Sequence, residues 1–214
     1  MNKLLKSLLL MPLLVLSINA CADKYTEGQQ YTKVNEAVTK KKEVREYFSV
    51  YCGHCFKFEP LMHNLKKVLP EGVAFERNHV DFLRAASPKI QQMITKAIVV
   101  AEQLGNGDKL VGAVFNYIHV KRAVITSEKD LRNLFVLNGA DGDKFDKLMK
   151  SFSVNSKAKS LKKSQNDMSA KRVLTGVPTV IVNGKYKIEP AKLDKDNFEE
   201  DYQKLVKYLL ELDS

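Results

Sequence analysis

Val44-Arg45-Glu46-Tyr47-Phe48-Ser49-Val50-Tyr51-Cys52-Gly53-His54-Cys55-Phe56 is the stretch that decides the fold. Val44, Glu46, Phe48 and Val50 alternate with Arg45, Tyr47 and Ser49. Both sets contain apolar residues, which predicts a central strand covered on both faces. At Gly53 a helical pattern takes over. Two cysteines two residues apart at a strand-to-helix junction are the layout of a redox-active dithiol, because a helix start offers free N–H groups and a partial positive charge to a thiolate. The competing chemistry is half of a zinc site. Structural zinc needs four ligands, commonly two close pairs, and the only other cysteine is Cys21. No metal site and no cofactor are expected. Glu46 fits a buried strand poorly. Two readings stand side by side: an edge position with the carboxylate in water, or a buried acid near the dithiol that tunes its pKa or passes protons.

Working outward, the helix after Cys52 carries Phe58, Leu61, Met62, Leu65, Val68 and Leu69 on one face, with Pro60 expected to bend it and Pro70-Glu71-Gly72 to end it. Val73 to Phe82 reads as a second strand, so strand, helix and strand form a right-handed parallel unit. From Phe82 to Arg172 the period becomes helical. Ile90 to Leu104 is one stripe, closed by Gly105-Asn106-Gly107, and Leu110 to Ile118 is another. Ser127, with Asp130 in the capping-box position, opens a third, which Gly139 closes. Asp143 opens a fourth, with Phe145, Leu148, Met149 and Phe152 on its stripe, and Val154 to Arg172 looks helical and mostly solvated. The parallel pattern then resumes. Thr179 to Val182 is a β-branched run, Asn183-Gly184 signals a type I′ hairpin, and Lys185 to Ile188 is the return strand. Asp194 or Asp196 is expected to cap a last helix with Phe198, Tyr202, Leu205, Val206, Leu209 and Leu210 inward. Ahead of the first strand, Asp23 to Tyr31 is polar, with Tyr25 and Tyr31 as packing anchors.

The first residues read as an export signal: Lys3 and Lys6, an apolar run from Leu8 to Ile18, then Ala20-Cys21-Ala22 as a small-x-small cleavage site. Ile18-Asn19-Ala20-Cys21 also loosely matches a lipoprotein box, in which Cys21 would be acylated. With cleavage after Ala22, Cys52 and Cys55 are the only cysteines left. An exported chain whose sole pair closes so short a loop gains little stability from it, and the pair is better explained by chemistry. The chain has 35 Lys and Arg, two of them in the leader, against 25 Asp and Glu, so the remainder carries about +8. The basic residues are spread among acids and no nucleic-acid motif appears, so a solvated basic surface is expected and nucleic acid is not a partner.

The order βαβ, helices, ββα resembles the thioredoxin fold, and the match narrows to the DsbA family of periplasmic thiol:disulfide interchange proteins. Glu46 to Glu59 looks like that family's active-site segment. So do Leu69-Pro-Glu-Gly-Val73, Asn78-His79-Val80, Gly176-Val177-Pro178, Val182-Asn-Gly-Lys-Tyr186 and Tyr25-Thr-Glu-Gly-Gln-Gln-Tyr31. The resemblance implies an α/β thioredoxin fold with an all-helical domain inserted after the βαβ unit: signal peptide 1–22, thioredoxin-fold domain 23–82 with 173–214, and helical insertion 83–172. There are two departures. Gly53-His54 stands where the family usually carries Pro-His, a dipeptide that sets redox poise. Arg77 stands where it often carries a lysine, keeping the charge but unable to lose a proton.

The resemblance further implies a periplasmic monomer that introduces disulfides into unfolded or reduced exported proteins and is reoxidised by a DsbB-type membrane oxidase. Cys52, as the exposed sulfur, would form the mixed disulfide with substrate and Cys55 would be the buried partner. His54 and the helix terminus would stabilise the Cys52 thiolate, the family being itself a familiar example of such a cysteine. Pro178 is expected to be cis beside the dithiol, opening the Val177 backbone to an extended peptide. Gly53, Glu46, Glu59 and Arg77 are expected to tune the pair, and His63, His79 and His119 to be structural. The alternatives are a reductase or isomerase on the same scaffold, which Gly53 favours, and a peptide-binding holdase.

Overall fold

The computed structural model describes residues 24–212. The export signal, the cleavage site and the question of Cys21 acylation therefore lie outside the described residues. Five strands form one sheet in the order β1-β5-β4-β2-β3. They are β1 (Tyr31–Lys33), β2 (Glu43–Phe48), β3 (Ala74–His79), β4 (Thr179–Val182) and β5 (Tyr186–Ile188). β2 is central: it pairs parallel with β3, Glu46 opposite Arg77, and antiparallel with β4, Glu46 opposite Val180. The crossover from β2 to β3 is α1 (Gly53–Val68), which runs on through Pro60. Five helices follow: α2 (Pro88–Gln103), α3 (Gly107–His119), α4 (Glu128–Leu137), α5 (Gly142–Lys150) and α6 (Phe152–Ala170). α7 (Phe198–Glu211) closes the chain.

Most of the local expectations hold. The Ser127–Asp130 capping box opens α4. Asn183 and Gly184 have φ of 51° and 68°, the two left-handed positions that a type I′ turn needs. Several differ. The hairpin strand β4 runs antiparallel to β2, so among the five described strands β2–β3 is the one parallel pairing. β1 is an additional strand, too short for its alternation to register, and it is held by β5. Asn197, not Asp194 or Asp196, precedes α7, while Asp194 takes the N–H of Asp196 in the loop before it. Phe152 does not extend the stripe of α5: Ser151 ends that helix and caps α6, and Phe152 is left 88% exposed. Val68, at the end of α1, is likewise outside the core at 39%.

The packing explains why the helices sit where they do. One apolar cluster joins Phe48, Val50, Cys52 and Cys55 to the inner faces of α2 and α3, including Ile94, Ile98, Val111 and Phe115. The helical segment is thus part of the wall behind the dithiol. A second cluster packs Leu61, Met62 and Leu65 of α1 and Leu205, Val206 and Leu209 of α7 against Val44, Val180 and Val182. Tyr25 and Tyr31 join it, buried as expected. On the opposite face of β2, Tyr47 packs with Ile181 and Leu174 and shares a 2.7 Å hydrogen bond with Ser164 of α6. Among the described residues, no helix is long and apolar enough to cross a membrane.

Candidate active site

β2 ends at Phe48, one turn short of the cysteines. Ser49 makes that turn: its Oγ accepts the Tyr51 N–H at 3.2 Å and its carbonyl accepts the Cys52 N–H at 3.0 Å. This is a side-chain turn of a kind that serine favours. Cys52 is then the N-cap of α1, with extended backbone (φ −90°, ψ 114°), and its Sγ accepts the Cys55 N–H at 3.2 Å. A sulfur therefore occupies the place usually taken by a serine or aspartate oxygen, where helix N–H groups favour a negative charge. No acidic residue of the first turn competes with it.

Both cysteines are free. A hydrogen bond from the Cys55 thiol brings the Cys52 thiol from 9.0 down to about 6; the backbone N–H groups of Cys55 and His54 and the charge of His54 assist, against the opposing effect of burial. The same bond to Cys52, with burial and the nearby charges of Cys52 and Glu46, pushes the Cys55 thiol far above its ordinary range. The pair is thus asymmetric. Cys52 is less exposed than expected, at 8%, because Val177 lies over it: the Val177 carbonyl oxygen is 3.4 Å from Cys52 Sγ and accepts from it when the sulfur is protonated. It remains the more accessible of the two, since Cys55 has no exposed surface. The Val177–Pro178 peptide bond is cis.

The two readings of Glu46 are resolved by burial. Glu46 is fully enclosed, with Oε2 accepting from Arg77 Nε at 3.0 Å and Oε1 accepting no hydrogen bond from the protein. Burial pushes its carboxyl from 4.5 up to about 7, although the Arg77 charge opposes this. Arg77 is itself buried. It forks onto Glu59 through Nη1 at 2.9 Å and Nη2 at 2.6 Å, and its guanidinium lies 4.2 Å from the centre of the Phe48 ring. One cation is thus shared by two acids, and the fully enclosed Glu46 is the one whose charged form is disfavoured. Cys52, Gly53, His54 and Cys55 at the α1 terminus form one group with Val177 and the cis Pro178, and Glu46, Arg77 and Glu59 form a second, joined by ion pairs, whose Glu46 charge acts on Cys55.

His119 has a closer connection to the site than its sequence position suggested. Its Nε2 donates to the Val50 carbonyl at 2.8 Å, and its ring stacks on Phe56 at 5.0 Å. It braces the segment leading into Cys52 from α3. Nothing in the local pattern around His119 signals this, because the contact spans the chain. Ser49 was expected to continue the strand, but β2 ends at Phe48 and Ser49 makes the turn into Cys52. His63 faces Asp108 at 3.6 Å on the surface. Among the described residues, no group of three or more His, Cys, Asp or Glu is placed to hold a metal ion.

Gly53 is exposed, and an added Cβ would meet nothing within 4 Å. It has no positive φ, so the backbone does not require glycine there. The extended Cys52 tolerates a following proline, and the first helical position suits one. Gly53→Pro is therefore expected to raise stability by about 0.4–1 kcal/mol, chiefly by restricting the unfolded chain. Urea melts of the two proteins in the same redox state would check this, and a lowered midpoint would contradict it.

Residues 43–203 match the DSBA-like thioredoxin domain. The chain is 38% identical over 204 residues to the thiol:disulfide interchange protein DsbA of Escherichia coli K12, covering 92% of this chain and 94% of that one. It is 36% identical to the Pectobacterium carotovorum protein of the same name, with 92% and 93% covered. Among solved structures, a variant of Proteus mirabilis DsbA with the non-covalently bound peptide PWATCDS superposes with a TM-score of 0.77, at 30% identity, over 87% of this chain and 98% of that one. Klebsiella pneumoniae DsbA superposes with a TM-score of 0.73, at 29% identity, over 88% and 99%.

Proposed function

The chain belongs to the DsbA family of thiol:disulfide oxidoreductases, and from that premise we propose that it acts in the periplasm as an oxidant of exported proteins, through Cys52 and Cys55. The observation that carries the direction of electron flow is the Cys52 sulfur in the N-cap of α1, accepting the Cys55 N–H. A stabilised thiolate is a stable reduced form and a good leaving group, and both properties favour oxidation of the partner.

The steps follow from the asymmetry of the pair. In the oxidised protein a substrate thiolate attacks Cys52 Sγ, the Cys52–Cys55 bond breaks, and Cys55 leaves as a thiolate. The Cys55 environment disfavours that charge, so it takes up a proton, and Glu46, protonated in part near neutral pH, is the acid placed to respond. The substrate's second thiolate then attacks its own sulfur in the mixed disulfide and displaces Cys52 as a thiolate. Two electrons pass from the substrate to the cysteine pair, and the substrate's sulfurs are joined. Arg77 and Glu59 hold Glu46 in position. The Val177 carbonyl, turned toward Cys52, offers backbone beside which an extended substrate peptide can lie. The Proteus mirabilis relative has been seen with a non-covalently bound peptide, PWATCDS. Reoxidation is assigned to a DsbB-type membrane oxidase, and the working form to a monomer. Residues 23–82 with 173–214 are taken as the thioredoxin unit that carries the chemistry, and 83–172 as its helical cover.

The test is to mix the oxidised protein with a reduced, unfolded two-cysteine protein under anaerobic conditions. Stoichiometric disulfide formation in that protein, with Cys52 and Cys55 recovered as thiols, is expected. If the protein instead only reduces or rearranges disulfides, the Gly53-His54 dipeptide has set it as a reductase or isomerase. If aggregation is suppressed equally well by a Cys52→Ala, Cys55→Ala variant, with no exchange by the intact protein, the chain is a holdase.

A further inference from the structure

Val50 lies beyond the end of the sheet. The carbonyl of Phe48, the last residue of β2, accepts the Val80 N–H at 2.8 Å, and the Ser49 carbonyl accepts the Cys52 N–H at 3.0 Å. The Val50 carbonyl comes next, on a residue with no exposed surface. A buried carbonyl needs a donor. Here the donor is a side chain of α3, His119 Nε2 at 2.8 Å. A carbonyl only accepts, so Nε2 carries the ring proton. The same ring meets the chain again after the dithiol. It stacks on Phe56, with centroids 5.0 Å apart and planes 6° from parallel. The Phe56 N–H in turn donates to the Cys52 carbonyl at 3.0 Å, in the first turn of α1. One imidazole thus holds the chain just before Cys52 and just after Cys55. Phe115, one turn earlier on α3, packs against Phe56 and Phe48 at 5.8 and 6.1 Å. Phe115 gives apolar support, and His119 adds a directed bond.

The two redox states need this support unequally. In the oxidised protein the Cys52–Cys55 bond itself fixes the sulfurs. In the reduced protein nothing covalent joins them, and Cys52 Sγ is held in the α1 cap by the Cys55 N–H at 3.2 Å. Without its donor, the Val50 carbonyl gains by turning toward water, and Tyr51 and Cys52 follow it through the chain. A hydrogen bond weakens steeply with angle, so such a turn takes the sulfur off the helix N–H groups. On the reading of the pair as an oxidant, we infer that His119 is a positioning residue for the dithiol: its bond to Val50 keeps the reduced Cys52 in the α1 cap, and α3 thereby sets how strongly the pair oxidises.

Three variants separate the donor from the ring. His119→Gln keeps an N–H donor at the reach of Nε2, His119→Phe keeps a stacking ring without a donor, and His119→Ala keeps neither. The thiolate absorbance of each reduced protein is followed with pH, each is equilibrated with glutathione at pH 7, and urea melts are run alongside. In His119→Phe and His119→Ala the Cys52 midpoint is expected to move from near 6 to about 7. The equilibrium with glutathione is expected to move about fivefold toward the oxidised protein. His119→Gln is expected to keep both near the wild-type values. Lower urea stability in His119→Phe and His119→Ala, with midpoint and equilibrium unmoved, would overturn the inference, because His119 would then only hold the fold. So would a His119→Gln protein that matches His119→Phe, because the donated bond would then carry no part of the effect. Those two variants decide the matter if His119→Ala does not fold. A wild-type midpoint at the ordinary thiol value of about 8.5 would overturn the oxidant reading itself, and it is seen without any variant. A wild-type midpoint near 6 with all variants unmoved would overturn the role of His119 alone.

Discussion

Cys52→Ser is expected to abolish dithiol oxidation, with a loss beyond detection, whereas Cys55→Ser is expected to stop the cycle one step later with substrate attached. The difference follows from the geometry. Cys52 is the more accessible sulfur and the one in the helix cap. An alcohol there neither forms a disulfide nor accepts one, so no covalent step begins. In Cys55→Ser the Cys52 thiolate persists, since the Cys55 N–H that supports it is backbone. Offered a substrate disulfide, that thiolate attacks, and no neighbouring thiol remains to release it. Non-reducing gels with a two-cysteine substrate would show stable mixed disulfides for Cys55→Ser and none for Cys52→Ser. The reverse pattern would show that Cys55 is the attacking sulfur. In Cys55→Ala, which leaves no side-chain donor in that place, the Cys52 thiol is expected to be less acidic than in the intact protein, because the Cys55 thiol is the largest of the groups that lower the Cys52 pKa.

Glu46 is expected to make the protein less stable as the pH rises, by about 3 kcal/mol between pH 4.5 and 7. The folded carboxyl titrates near 7 and the unfolded one near 4.5. Below pH 4.5 both states hold the proton and the full stability is present. Between the two values the folded state keeps a proton that the unfolded state has released, so raising the pH favours unfolding. Above 7 the penalty is constant. Other groups titrate in the same range: His79, buried and neutral, acts in the opposite direction as the pH falls below 6.5. The clean quantity is therefore the difference between the wild type and Glu46→Gln, measured by urea unfolding at a series of pH values. That difference is expected to swing by about 3 kcal/mol in favour of the variant on going from pH 4.5 to 7.5. Parallel curves would show that Glu46 stays ionised, with Arg77 outweighing burial.

The strand-to-helix junction at Cys52 was legible because its signals are local: a two-sided apolar strand, a cysteine spacing and a helical stripe. The same holds for the Asn183-Gly184 turn and the Ser127 cap, whose side chains act on their own backbone. The elements that were misread depend on distant partners. β1 exists because β5 lies beside it, and three residues show no period. Phe152 continues the spacing of the α5 stripe, yet Ser151 ends one helix and caps the next, so the spacing carried no information about burial. Within the site, Glu46 admitted two readings because the sequence gives its strand but not which neighbours flank it. β3 on one side and β4 on the other place it in the middle of the sheet, opposite Arg77. The coverage of Cys52 by Val177 and the bracing of Val50 by His119 join residues far apart in the chain, and no local pattern encodes them.

Oxidation of a partner by this pair depends on Cys52 being a stabilised thiolate. The most direct measurement is the thiolate ultraviolet absorbance of the reduced protein as a function of pH, with Cys52→Ser as the blank. One thiolate is expected to appear with a midpoint near 6, while Cys55 stays protonated throughout the neutral range. A midpoint at the ordinary cysteine value of about 8.5, or two thiolates titrating together, would contradict it.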